Sequence, residues 1–248
     1  TRGDGGQNLI GPELREQLWL LRRQELLAAR NVDGGEQFFT RANDFGYSKH
    51  PDETLAIWDK KEVLGDVVWA IRKFRPDVII NRFNHRTPGT THGHHTSSAM
   101  LSLEAYETAN NPNAYKWQLD HYDTWQPKRV MFNTSWWFYG SREKFAAADK
   151  SNLITMDAGV YYPSKGLSNN EISAISRSQH KCQGFGRLTT RGTQDEYLEH
   201  IKGSFPKNND LFYGIDTSWN RVKGGKAIGD ILNNVEKTFN FNDPSTHL

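Results

Sequence analysis

Apolar residues recur at helical spacing in two early stretches of the chain. Leu14, Leu18 and Leu21 stand at i, i+4 and i+7, Pro12 suits a first turn and Asp33-Gly34-Gly35 a stop, which predicts a helix from Gly11 to about Arg30. Leu64, Val67, Val68 and Ile71 predict a second helix from about Lys61 to Phe74. It must end at Arg75, because the residue before Pro76 avoids the α region. The β-branched run that follows, Asp77 to Phe83, reads as a short buried strand. Helix, tight turn and apolar strand form the second half of a βαβ unit.

Residues Asn84 to Thr96 are rich in His, Thr, Gly and Pro and predict a loop at the carboxyl end of that strand, where open α/β sheets bind their ligands. A helix from Ser97 to about Asn110 follows, then strands over Arg129–Asn133 and Asn152–Met156, a helix over about Asn169–His180 and a last helix near Gly225–Phe239. The expected fold is α/β and Rossmann-like, a mostly parallel sheet with helices on both faces. Pattern gives no role to the aromatic, turn-rich stretch after Thr190.

Composition narrows the partners. With 31 Lys plus Arg against 29 Asp plus Glu in 248 residues, the net charge is +2, and no basic block exists to neutralise phosphates, so nucleic acid is not an expected partner. The apolar runs are too short to span a bilayer and the first twenty residues lack the apolar centre of a signal peptide. The chain is therefore expected to be soluble, either cytoplasmic or exported after loss of a leader. One cysteine, Cys182, makes neither an internal disulfide nor a cysteine metal site. A start at Thr1-Arg-Gly-Asp-Gly-Gly6, without Met, reads as that of a partial or processed chain.

The chemistry concentrates at Thr90-Thr-His-Gly-His-His-Thr96. Neutral imidazole is the commonest nitrogen ligand of zinc, and a neighbouring imidazole can move a proton near neutral pH. A solvated or helix-capping cluster is the equal alternative. Trp136-Trp137-Phe138-Tyr139 reads first as packing, and Asp157 as a strand-end group or a simple cap.

Five short motifs occur in one order: Thr1 to Gly6, Arg22-Arg-Gln-Glu-Leu-Leu-Ala-Ala29, Asp44-Phe-Gly46, Arg75-Pro-Asp-Val78 and His92-Gly-His-His95. In that order they resemble the LmbE-like (PIG-L family) N-deacetylases, and Ser176 to Gln183 resembles the His and Gln that close the family's domain. The resemblance implies a zinc-dependent hydrolase that removes an N-acetyl group from an amino-sugar or glycoconjugate. His95 matches a zinc ligand and His92 the histidine that stabilises or protonates the tetrahedral intermediate. Arg22, Asp4 and Asp44 match substrate-side positions, while His94 and His180 are expected to support them. The family's Pro-Asp between the two histidines is Gly93-His94 in this chain.

The family's His-Pro-Asp-Asp motif, which supplies the other zinc ligands and the general base, has no counterpart in the expected place. His50-Pro-Asp-Glu53 follows the glycine-rich turn instead of preceding it and reads as a decoy, so the remaining ligands are expected upstream of Thr1 and this chain alone is expected to bind Zn2+ poorly. Residues 1–190 are expected to form the deacetylase domain and 191–248 an extension packed on it. The rivals are a non-catalytic carbohydrate-binding module on the same fold and a nucleotide-binding protein using the Thr1–Gly6 turn. The latter lacks both the three-glycine spacing and an acidic ribose partner.

Overall fold

The computed structural model describes residues 1–240 and 242–247. It divides into two compact units, residues 1–205 and 206–248.

In the first unit, helix α1 spans Glu16–Asp33 and stops at Gly34, whose φ of 76° is left-handed. It starts five residues later than the Leu14 pattern predicts. The Asn8 side chain accepts the Ile10 N–H and donates to the Glu13 carbonyl and carboxylate, holding residues 8–13 in turns that exclude Pro12 from the helix. Helices α2 (Pro51–Trp58) and α3 (Lys60–Phe74) follow, and α3 ends on Arg75 before Pro76 as predicted. Strand β1 is Val78–Asn81.

Helix α4 runs Gly93–Thr108, so the predicted loop ends at His92 and not at Thr96. Val63, Leu64, Val68 and Ile71 of α3 pack on Leu101, Ala105 and Ala109 at the α4 end, with Ala42 and Trp58 in the same core. Strand β2 is Arg129–Thr134, α5 is Arg142–Ala147 and β3 is Leu153–Asp157. A two-stranded ribbon, β4 (Tyr161–Tyr162) with β5 (Leu167–Ser168), leads into α6 (Asn169–Arg177), which opens with a full capping box between Ser168 and Glu171. Strand β6 is Asp195–Gly203.

The main sheet corrects the mostly parallel expectation, for its order is β1-β2-β6-β3. Only β1 and β2 are parallel, Val78 opposite Arg129 and Asn81 opposite Phe132. Strand β6 lies between β2 and β3, antiparallel to both, with Phe132 and Leu153 each opposite Glu199. The sheet is mixed because a strand from beyond residue 190 enters its middle, and the division expected at 190/191 falls before β6, whereas the division between compact units falls after Phe205.

The second unit holds α7 (Gly225–Thr238), packed against the turn at Trp219–Arg221. No helix among the described residues is long and apolar enough to cross a membrane.

Candidate active-site cleft

The parallel pair brings the carboxyl end of β1 to the start of α4, and the segment between them carries the chemistry. Arg82 donates to the Asn133 carbonyl and side chain on β2. Thr90 bonds back to the Thr87 carbonyl, and the Thr91 and Thr96 hydroxyls meet at 3.0 Å. His92 then acts as the N-cap: its Nδ1 accepts the His94 N–H at 3.1 Å, and its carbonyl accepts from His95 and Thr96. Imidazole thereby fills a role usually given to Ser, Thr, Asp or Asn. With Nδ1 accepting, the proton of the neutral His92 ring sits on Nε2.

His92, His94 and His95 line one cleft of about 580 Å³ with Gly5, Gly6, Arg22, Asp44, Tyr47, Ser98, Gln183 and Phe185 among its walls. The three rings are close, with centroids 4.4 Å apart for His92–His94 and 5.3 Å for His92–His95. His95 stacks on Phe83 at 3.7 Å with the planes 10° apart. His94, 8% exposed, packs against Phe45 and Trp58. Burial, with His92 adding to it, lowers the His94 pKa to about 4, even though Asp44 Oδ1 lies 4.0 Å from its Nδ1. Burial and His92 also lower the pKa of His95. Both rings are neutral at pH 7, and the His94 Nε2 is buried without a hydrogen-bond partner.

Of the other expected residues, Arg22 is in the wall but is already engaged. It is 8% exposed, not a surface arginine, and donates to the carbonyls of Gly3 and Gln7, each at 2.7 Å. Glycine at positions 5 and 6 allows this closeness, since a Cβ on Gly6 would meet the Arg22 guanidinium at 2.5 Å and one on Gly5 the Asp44 carbonyl at 1.9 Å. Asp44 lines the cleft directly, and its N–H is accepted by Asp4 Oδ1 at 3.2 Å. Asp4 pairs with Arg2 and braces Asp44 from behind, outside the cleft lining. His180 lies in an adjoining pocket of about 210 Å³ that shares Arg22, Asp44 and Gln183 with the main cleft.

Residues outside the cleft lining have other duties. His50 caps α2, accepting the Asp52 N–H, and the Asp52 side chain is 84% exposed. Asp157 accepts the N–H groups of Gly159 and Gln194, which hold its pKa low. Phe138 packs edge-on against Phe132, while Trp136 lies under Arg142. Sequence reasoning missed Tyr47 and Ser98 as wall residues. Tyr47 directly follows the Asp44-Phe-Gly46 motif and Ser98 stands one helical turn after His94, which were the available signals.

A zinc site needs at least three protein ligands. Among the described residues no group of three or more His, Cys, Asp or Glu could hold a metal ion. His95 offers one nitrogen, but the His92 Nδ1 is occupied as a cap and His94 is wedged between aromatic rings. The residues present therefore do not fit a complete zinc site.

The chain is 26% identical over 145 residues to a mycothiol S-conjugate amidase of Streptomyces coelicolor, and the alignment covers 54% of this chain and 48% of that protein. The chain thus spans about half the length of that curated relative. The family model described as PIG-L, GlcNAc-PI de-N-acetylase, matches residues 1–106, a stretch that contains the glycine loop, Arg22, Asp44 and all three cleft histidines. Residues 1–106 are a PIG-L family domain.

Proposed function

We propose that the chain is an amide hydrolase of the deacetylase and amidase kind, acting on an acylated amine of a polyhydroxylated molecule, with N-acetylated amino-sugars or glycoconjugates as the substrate class. The observation that carries this reading is the convergence of His92, His94 and His95 with Asp44 on one polar cleft, inside the stretch the family model matches. Amide hydrolysis needs a donor for the developing oxyanion and a proton for the departing amine. His92, with the proton of its neutral ring on Nε2, is suited to both. His95, kept neutral by burial, offers a lone pair to a water or to a metal ion.

Zinc, where the family uses it, lowers the pKa of its bound water to about 7. The described residues supply His95 for it and no companions, so the roles given above are those of the imidazoles themselves. The same observation favours a second reading, a carbohydrate-binding module that keeps the fold without turnover.

One assay separates the two. The chain and its His92→Ala variant are incubated with N-acetylglucosaminyl glycosides, and both acetate release and sugar binding are followed. Release by the chain that is lost in the variant supports the hydrolase. Saturable binding with no acetate in either sample overturns it in favour of the binding module.

A further inference from the structure

Between β1 and the histidine helix the chain is tied down at a point remote in sequence. The guanidinium of Arg86 donates to both carboxylate oxygens of Glu199, at 2.8 and 2.6 Å. Glu199 lies at the centre of the sheet on β6, its side chain 8% exposed against 46% for Arg86, and also accepts from Asn152 at 3.1 Å. Arg86 further binds the Asn84 side chain through its N–H and Nε. Upstream, Arg82 is fixed to Asn133. Phe83 stands between these two anchors, and its ring is the one stacked on His95.

We infer that Glu199 and Arg86 are positioning residues for His95: the ion pair fixes the segment that holds the Phe83 ring, and that ring sets the plane of the His95 imidazole. A bidentate arginine–carboxylate pair fixes direction as well as distance, and a half-buried one resists screening better than a surface pair. A single stacked ring on an unanchored loop could tilt or slide. With both ends of residues 82–86 bonded to the sheet, the imidazole has one face closed and its edge presented to the cleft. This inference rests on the proposed role of His95, but its test needs no turnover.

The test reads the ring protons of His95 by NMR in the full chain. Stacked under Phe83, they resonate upfield of an unstacked histidine, and Phe83→Leu defines the unstacked limit. Arg86→Lys, which keeps the charge and loses the fork, and Glu199→Gln are expected to move the His95 signals toward that limit while those of His180 stay in place. The reversed pair, Arg86→Glu with Glu199→Arg, is expected to restore them. His95 signals unchanged in Arg86→Lys, with Phe83→Leu shifted, would overturn the inference. Should Glu199→Gln fail to fold, Arg86→Lys carries the test alone, since Arg86 is the exposed half of the pair. No substrate enters the measurement, so absence of amide hydrolysis would defeat the proposed function and leave this result standing.

Discussion

The ring of His92 holds the backbone N–H of His94 at 3.1 Å, so the residue proposed to handle protons in the cleft is also the cap of the helix that presents the other two histidines. Chemistry and local folding share one side chain, and a substitution there has two consequences that can be separated.

His92→Ala removes both the cap and the donor. Stability is expected to fall by about 1 kcal/mol, and hydrolysis by roughly 10²- to 10⁴-fold. His92→Asn restores a capping oxygen without a titratable ring, so melting temperature should recover while activity should not. Thermal melts and initial rates on the two variants check this; recovery of activity in the Asn variant would show that His92 only caps.

The dependence of stability on pH has a fixed sign. His94 has a pKa of about 4 in the folded chain against 6.5 when exposed, so between these values the unfolded state binds more protons. Its contribution is complete above about pH 6.5 and is lost as pH falls through about 4, roughly 3 to 3.5 kcal/mol in all at 1.36 kcal/mol per unit. His95, His85 and His180, all lowered by burial, add to the same slope. Urea unfolding at pH 7, 5.5 and 4.5 should show the decline, and His94→Phe should flatten it.

Gly5 and Gly89 separate space from backbone strain. Gly5→Ala puts a methyl group 1.9 Å from the Asp44 carbonyl, so the glycine loop must move away from the cleft wall. A loss of about 1–3 kcal/mol is expected, together with loss of ligand binding. Gly89→Ala meets nothing but sits at φ +84°, and should cost about 1–2 kcal/mol with binding retained. Chemical denaturation and sugar binding on both variants compare the two effects.

Arg22→Lys exchanges a fork that reaches two carbonyls for one ammonium. The Gly3–Gln7 turn is expected to loosen by about 1.5–3 kcal/mol, the worth of one lost charge-assisted hydrogen bond. Amide exchange at Gly5, Gly6 and Gln7 should quicken while α1 beyond its first turn stays protected. Unchanged exchange would leave Arg22 available to a substrate hydroxyl.

Elemental analysis after equilibration with zinc is expected to give well under one metal per chain, and His50→Ala is expected to change nothing. One zinc per chain that disappears in His50→Ala would make His50 to Glu53 a ligand motif after all.

What the sequence made legible was what depends on neighbours in the chain. Arg75-Pro76 ends α3 for a local steric reason, and Asp33-Gly34 ends α1 because glycine adopts positive φ there. The histidines were recognisable as chemistry, with a helix-capping cluster as the equal alternative, yet neither the helix start at Gly93 nor which of them caps it was legible, since histidine stands outside the common caps and only the His92 ring geometry reveals the role. Strand β6 was hidden for another reason. Its Glu196 and Glu199 break the apolar alternation of a central strand, and they are tolerated because Asn133 and Arg86 meet them, contacts 63 and 113 residues away in the chain. Asn8 likewise displaced the α1 start through hydrogen bonds that no periodicity records.

The place of β6 also sets a timetable. During synthesis β1 and β2 can meet as soon as Thr134 has emerged, but β3 has no neighbour in the sheet until residues 195–203 are made. Until then an apolar strand and the open side of β2 wait exposed, the condition in which nascent chains aggregate. A chain cut at residue 190 should therefore collect in the insoluble fraction, while one cut after Phe205 should remain in solution, although the two differ by only fifteen residues.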